Sequence, residues 1–254
     1  MPNEKFSFAS LLPSLQNNEE YFEKIADEQN IGRRVRQLSL LLAASTFFYG
    51  LIMGCYSGFL QALTAGVKVP VLFALSLLIC FPAFFLLQFI LGSKMKLSQM
   101  TAIILAGFVL TGVIMVSFTP IVVFFMLTGG NYHFLQLLHV AIFVLSGAFG
   151  MKTVLDALKF SCERKSVYPQ TGVLVFRFWV VILAFVGIQL AWNLRPFLAE
   201  RDKPYALFRA YEGNFYTAVM YSIGQLSKPA EEIKKPQAPG EHVPIYFDTT
   251  RKAP

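Results

Sequence analysis

The chain has 254 residues, of which 55% are hydrophobic and only 15% are charged. Soluble domains carry about 25% charged residues, so these proportions exclude an ordinary soluble globular domain. The hydrophobic residues fall into runs of about twenty or more with almost no charge, the length at which a helix crosses a ~30 Å hydrocarbon layer. The net charge of +7 comes from basic residues that lie beside these runs, which indicates lipid head groups as partners and argues against nucleic acid.

The N-terminal segment and the cysteines argue against a signal peptide, a disulfide framework and a metal site. Residues 1–37 lack the basic, apolar and small-residue succession of a signal peptide, and we expect them to form a cytoplasmic or interfacial segment. The three cysteines, Cys55, Cys80 and Cys162, show no CxxC spacing. We therefore expect no zinc site, no disulfide framework and no cofactor.

The hydrophobic runs predict an all-α polytopic membrane protein with a five-helix transmembrane domain over residues 38–194. The predicted spans cover residues 38–63, 69–92, 100–127, 134–154 and 173–194. In span one, Gly50, Gly54 and Gly58 repeat at four-residue spacing and predict close packing against another helix. Pro82 in span two and Pro120 in span three each remove one helix hydrogen bond and predict kinks.

Basic residues in the short connections predict the orientation of the chain. They lie before span one, between spans two and three and between spans four and five, at Arg33, Arg34, Arg36, Lys94, Lys96, Lys159, Arg164 and Lys165. The opposite connections carry only Lys68, so the N-terminus is predicted to be cytoplasmic and the C-terminus to lie outside. Arg177, Trp192 and Arg195 lie near the predicted membrane surfaces and are expected to contact lipid.

Residues 195–226 predict an amphipathic platform on the outer face. Pro196 ends span five, and Asn214 is expected to cap a short helix in which Phe215, Val219 and Ile223 share one face. Residues 227–254 form a proline-rich tail that is expected to be extended and to be ordered by a partner.

His133, Gln136 and His139 form the most suggestive polar group, near the outer end of span four. Histidines within membrane helices sometimes hold haem. The two histidines, however, point about 120° apart around a helix, and no other span offers an opposing histidine. The spacing favours hydrogen bonds between helices. No nucleophile and base converge anywhere in the sequence, so we expect no catalytic residues and no enzyme.

Two stretches carry a resemblance to known proteins. CYSGFLQALTAGVKVPVLFALSLLICFPAFFLLQFILG (residues 55–92) and WNLRPF (residues 192–197) resemble a group of uncharacterised bacterial five-span inner-membrane proteins over residues 30–226. The layout of five spans after a cytoplasmic segment is also similar, more distantly, to the Yip family of membrane trafficking proteins, although the DLYGP-like motif of that family is missing. The resemblance implies a non-enzymatic protein of a bacterial inner membrane.

Three functions remain open from the sequence. The first is an accessory or scaffolding subunit that binds other membrane subunits or a second copy through the glycine ridge, the outer platform and the tail. The alternative is a small homo-oligomeric channel or permease in which spans two and three line a pore and Lys68 or Arg195 guards its mouth. The third is an intramembrane enzyme that uses His133 and His139.

Overall fold

A computed structural model of the chain describes residues 31–163, 169–199, 205–208 and 214–226, and the regular structure in these ranges is entirely helical. The helices are α1 (Ile31–Cys55), α2 (Phe59–Ile90), α3 (Leu97–Ser117), α4 (Thr119–Leu127), α5 (Tyr132–Glu163), α6 (Gln170–Leu194) and α7 (Phe215–Leu226). With α3 and α4 taken as one interrupted span, five helices are long and apolar enough to cross a membrane. The predicted all-α polytopic fold is confirmed. The N-terminal segment up to residue 30 and the tail from residue 227 lie outside the described residues.

The first two spans do not divide where hydropathy placed the boundary. Helix α1 begins at Ile31, inside the predicted N-terminal segment, and ends at Cys55, whereas α2 begins at Phe59. The predicted connection over residues 64–68 is therefore wrong, and Lys68 lies within α2. The physical reason is a tight turn at Gly58, whose φ of 140° suits glycine. This turn separates α1 from α2 inside a continuous apolar stretch that contains no charged residue to mark the boundary.

The other spans are close to their predicted positions but longer. Helix α5 extends to Glu163, past the predicted end at residue 154, and α6 begins at Gln170 and ends at Leu194 as expected before Pro196. Helix α7 is also confirmed, because the Asn214 side-chain oxygen accepts a hydrogen bond of 2.9 Å from the backbone N–H of Thr217. This bond is the predicted N-cap.

Helix α1 lies at the centre of the bundle, where it packs against α2 on one side and α3 on the other. Helix α6 packs on α2, α5 packs on α3, and α7 packs mainly on α5. The side chains of Tyr49, Phe73, Phe108 and Phe143 meet in the interior and join α1, α2, α3 and α5 through ring contacts of 5.6 to 6.3 Å between centroids. These contacts give the bundle one continuous apolar core.

Two glycines of the predicted ridge bring α1 against α2. A Cβ at Gly50 would lie 2.5 Å from the Ala65 carbonyl oxygen, and a Cβ at Gly54 would lie 2.5 Å from the Ala62 Cα. These distances are too short for any side chain, so close packing at Gly50 and Gly54 is confirmed. Gly58 is not part of the ridge, since it lies in the turn after α1 and nothing lies within 4 Å of its Cβ position. The partner of the ridge is α2 of the same chain.

A second close contact, which the sequence analysis did not single out, joins α3 to α5. A Cβ at Gly107 would lie 2.8 Å from the Gly150 carbonyl oxygen, and a Cβ at Gly150 would lie 2.4 Å from the Gly107 carbonyl oxygen. The two glycines therefore face each other across the helix pair. Small residues on facing helices permit this approach of the two backbones.

At Pro120, where the sequence predicts a kink, the helix is interrupted. Helix α3 ends at Ser117, and α4 begins at Thr119 with Pro120 in its first turn. Proline has no N–H to bond the carbonyl of Val116, and the hydroxyl of Thr119 donates a hydrogen bond to that carbonyl instead. Pro82 differs, because α2 is continuous through both Pro70 and Pro82, and a bend at Pro82 stays a prediction.

We predict that Gly54→Ala destabilises the bundle by about 1 to 3 kcal/mol, the usual cost of adding volume to a well-packed interior. The new methyl group would meet the backbone of Ala62 and Gln61, which has no room to yield. Gly147→Ala is the matched control, since nothing lies within 4 Å of its Cβ position in α5. Reversible unfolding in mixed detergent micelles measures both variants. Equal stability of the two would contradict the close contact.

Candidate functional site

One face at the start of α2 carries a polar stripe in an otherwise apolar helix. It consists of Ser57 in the turn before the helix and of Gln61, Thr64 and Lys68 within it, and we call these residues the α2 polar stripe. Their spacing of four, three and four residues places them on one side of a helix. The segment that follows α6, described at residues 195–199 and 205–208, lies against this face. We call it the post-α6 segment.

Gln61 and Lys68 bind the backbone of the post-α6 segment from the side that faces α2. The Gln61 Nε2 donates to the Pro196 carbonyl oxygen at 2.8 Å, and the Lys68 Nζ lies 3.4 Å from the same oxygen. Lys68 also donates to the Leu207 carbonyl, and its ammonium lies 4.7 Å from the centre of the Phe208 ring. Both side chains are buried, with 3% and 6% of their surface exposed. They hold two separate parts of the segment on α2.

Ser57 and Thr64 complete these attachments. The Ser57 hydroxyl donates to the Ala199 carbonyl and accepts a hydrogen bond of 2.9 Å from the Ala199 N–H. The Thr64 hydroxyl donates to the Leu60 carbonyl, so the Tyr205 hydroxyl is the donor in the 2.9 Å contact between the two hydroxyl groups. Every member of the α2 polar stripe therefore holds the post-α6 segment.

Arg195 and Trp192 lie where α6 meets the post-α6 segment. The Arg195 guanidinium carbon is 3.6 Å from the centre of the Trp192 ring, the geometry of a cation–π contact. Arg195 and Lys68 were the predicted guards of a pore mouth. The structure places Lys68 beneath the segment that Arg195 begins, in contact with its backbone carbonyls.

A shallow groove of about 270 Å³ opens beside the α2 polar stripe. Its lining combines the turn, the first residues of α2 and the post-α6 segment, and the residues are Ser57, Gly58, Phe59, Leu60, Gln61, Ala199 and Tyr205. Among the described residues, the Gln61 Oε1 is buried without a hydrogen-bond partner, as are the Gln88 Oε1 and the His139 Nε2 elsewhere in the bundle. An unpaired buried carbonyl oxygen costs about 1 to 3 kcal/mol.

The predicted polar group of His133, Gln136 and His139 is divided between two contacts. The Ser222 hydroxyl donates to the Gln136 Oε1 at 3.3 Å and lies 3.2 Å from the His133 Nδ1, so the histidine N–H is the donor to Ser222. His139 faces the other way, and its Nδ1 lies 2.7 Å from the Tyr49 hydroxyl. These are hydrogen bonds between helices, as the spacing predicted.

The contacts between α2 and α6 recur along both helices and were not found from the sequence. The Trp179 Nε1 donates to the Cys80 carbonyl at 2.9 Å, and the Gln88 Nε2 donates to the Gly172 carbonyl at 3.1 Å. These two side-chain bonds join α6 to α2, and the bond from Gln61 to Pro196 joins α2 to the post-α6 segment at the opposite end. Polar residues inside apolar runs were the available signal, since membrane interiors tolerate them mainly where they have partners.

The remaining predicted interfacial residues lie on the surface of the bundle. Arg33 and Arg36 are exposed in the first turns of α1, and Arg34 is partly buried there. Arg177 is exposed on α6, between Leu174 and Phe178 on the same outward face. Within the described ranges, no group of three His, Cys, Asp or Glu residues is placed to hold a metal ion.

Comparison of the chain with protein-family models, with curated proteins and with solved structures gives no match in any of the three. The class of the protein follows from its five long apolar helices, which make it a multi-pass helical membrane protein.

We predict that Lys68→Met loosens the post-α6 segment while the bundle stays folded. Methionine keeps the apolar stem but loses the ammonium that holds the Pro196 and Leu207 carbonyls. Limited chymotrypsin digestion should then cleave at Tyr205 and Phe208 several times faster than in the unchanged protein. Lys152→Met, at an exposed position of α5, is the control and should not change the rate. No acceleration in Lys68→Met would contradict the attachment.

We also predict that Tyr49 and His139 are energetically coupled. His139→Phe or Tyr49→Phe alone removes the interhelical bond and leaves a buried polar partner, at a cost of about 1 to 3 kcal/mol. The double variant loses both polar groups and should cost less than the sum of the single changes. A double-mutant cycle of unfolding free energies measures the coupling, and strict additivity would show that the bond contributes nothing.

Proposed function

We propose that the chain is a non-catalytic accessory or scaffolding subunit of a larger membrane protein complex. The observation that carries the proposal is the surface of α7. Its inner face is fixed on α5, where Ser222 is 1% exposed and bonded to His133 and Gln136. Its outer face presents Tyr216, Met220 and Ile223 at 49%, 68% and 45% exposure. An exposed apolar surface of this kind marks a site of contact with another protein or with the membrane, and we propose the first.

The hydrogen bonds of the buried polar side chains support a structural role for the chain. Thr46, Ser76, Thr111 and Ser146 each donate to a carbonyl one turn earlier in their own helix. The longer side chains donate to backbone carbonyls of neighbouring segments, or pair with hydroxyl groups there. Gly50 and Gly54 do not support partner binding, because α2 of the same chain covers them. The contact surface that we propose is therefore α7 with the tail that follows it.

The distribution of charge supports a proposed orientation. Because α1 and α2 run antiparallel, the start of α1 and the connection after α2 lie at the same end of the bundle. That end carries Arg33, Arg34, Arg36, Lys94 and Lys96. Positive connections are retained in the cytoplasm, so we propose a cytoplasmic N-terminus and an outward post-α6 segment and α7. The resemblance to five-span bacterial proteins supports an inner membrane as the location.

The experiment that tests the function is the subunit composition of the complex formed by the full chain. We expect gentle detergent extraction, a native gel and mass spectrometry to recover the chain in a large particle together with other membrane subunits. Met220→Glu, which places a charge on the exposed face of α7, should release those subunits without lowering membrane insertion. Met220→Leu is the matched control and should retain them.

Two results would contradict this proposal. A particle that contains only copies of this chain would favour the small homo-oligomeric channel or permease. Unchanged subunit composition in Met220→Glu would remove α7 as the contact surface.

A further inference from the structure

The face of α2 that packs on α1 continues past the point where the described part of α1 begins. A Cβ at Gly50 would lie 2.5 Å from the Ala65 carbonyl oxygen, and this contact sets the register of the two antiparallel helices. Equal counts of residues along both helices from this contact place Ile31, the first residue of α1, level with Phe84 of α2. Because α2 ends at Ile90, about its last one and a half turns project beyond α1.

The projecting end of α2 leaves two apolar side chains open on the side that faces α1. Ile90 lies about seven turns after Ala65, the residue that meets Gly50, and Leu87 lies about one turn before Ile90 on the same side. Ala65 is fully buried, whereas Leu87 and Ile90 are 48% and 77% exposed. We call Leu87 and Ile90 the α2 end patch. The cover of this face is lost where α1 begins.

Helix α6 holds the neighbouring side of the same turns. The Gln88 Nε2 donates to the Gly172 carbonyl at 3.1 Å, and the rings of Phe84 and Trp179 lie 4.7 Å apart between centroids. Gln88 and Phe84 have none of their surface exposed. The end of α2 is therefore fixed in place, and the α2 end patch is a fixed apolar surface beside the path of the chain into α1.

The residues directly before α1 carry apolar side chains at matching positions. Ile25 lies about seven turns before Gly50, and Tyr21 lies about one turn before Ile25, so a helical extension of α1 would place both on the face of Gly50. The register at Gly50 pairs Ile25 with Ile90. Residues 21–30 contain no proline or glycine that would oppose such an extension.

Charge also favours this segment as the occupant of the patch. Residues 19–28 contain a single lysine and are otherwise rich in acidic side chains, at Glu19, Glu20, Glu23, Asp27 and Glu28. The same end of the bundle carries exposed basic side chains at Arg33, Arg36, Lys94 and Lys96. Opposite charges attract the segment to this end, and its direct connection to α1 keeps it at a high local concentration.

We propose that residues 19–28 of this chain dock on the α2 end patch, with Ile25 against Leu87 and Ile90 and the acidic side chains beside the basic residues of that end. The segment then completes the cover of α2 that α1 begins. The α2 end patch lies at the opposite end of the bundle from α7, so this inference does not depend on the proposed scaffolding function.

A pair of introduced cysteines tests the contact in the full chain. The native thiols are first removed with Cys55→Ala, Cys80→Ala and Cys162→Ala. Ile25→Cys with Ile90→Cys should then form an intrachain disulfide on mild oxidation with copper phenanthroline, about tenfold faster than Ile25→Cys with Phe89→Cys, because the bridge requires close Cβ atoms. Phe89 is the matched control, since it is 68% exposed in the same turn of α2 but on another face.

Maleimide labelling of Ile90→Cys alone, in the same background, measures the cover of the patch. The docked segment should make a water-soluble maleimide react slowly with this thiol. Ile25→Glu would place a charge against the apolar patch and should speed the labelling several-fold. Ile25→Leu keeps the apolar contact and should leave the rate unchanged.

Three results would overturn the proposal. Equal rates of disulfide formation with Ile90→Cys and with Phe89→Cys would mean that the segment has no fixed place on α2. A disulfide-linked dimer in place of the intrachain bridge would assign the patch to a second copy of the chain. Equal labelling in Ile25→Glu and Ile25→Leu, whether slow or fast, would mean that lipid or water contacts the patch instead of the segment.

Discussion

The near-contact of the α1 and α2 backbones at Gly50 and Gly54 is the constraint on which the rest of the bundle depends. In a bilayer, lipid tails satisfy apolar side chains as well as protein does, so helices associate through close packing and hydrogen bonds. The absence of side chains at these two positions lets the helices meet at backbone distance. Since α1 also packs on α3, and α2 carries α6, this one contact sets the positions of both halves of the molecule.

Polar side chains then fix what the glycines bring together. Inside a membrane an unpaired polar group is costly, so each buried amide, imidazole or hydroxyl selects the arrangement in which it finds a partner. Gln88 and Trp179 select one register of α6 on α2, and Tyr49 with His139 selects one register of α5 on α1. Gln61, Gln88 and His139 each satisfy only one of their two polar ends among the described residues, because the Gln61 Oε1, the Gln88 Oε1 and the His139 Nε2 are buried without a partner there.

Much of the fold was accessible from the sequence, because membrane spans are set by hydrophobic length. The break at Pro120 and the cap at Asn214 were also accessible, since each depends on one residue and its immediate neighbours. The turn at Gly58 was not, because two spans follow each other there without an intervening charge. The post-α6 segment was missed for a different reason: its contacts with Gln61 and Lys68 join residues more than 120 positions apart, which no local pattern records.

The length of α2 limits how much of the helix the hydrocarbon layer of a membrane can cover. At 1.5 Å per residue its 32 residues reach about 48 Å, whereas the hydrocarbon layer is about 30 Å thick, and even a 40° tilt shortens the span only to about 37 Å. At least about one turn of α2 must therefore extend beyond the hydrocarbon layer in a membrane of ordinary thickness. A thinner bilayer would leave more of α2 outside the hydrocarbon layer and a thicker one would leave less, so the fraction of the helix in contact with head groups follows the thickness of the membrane.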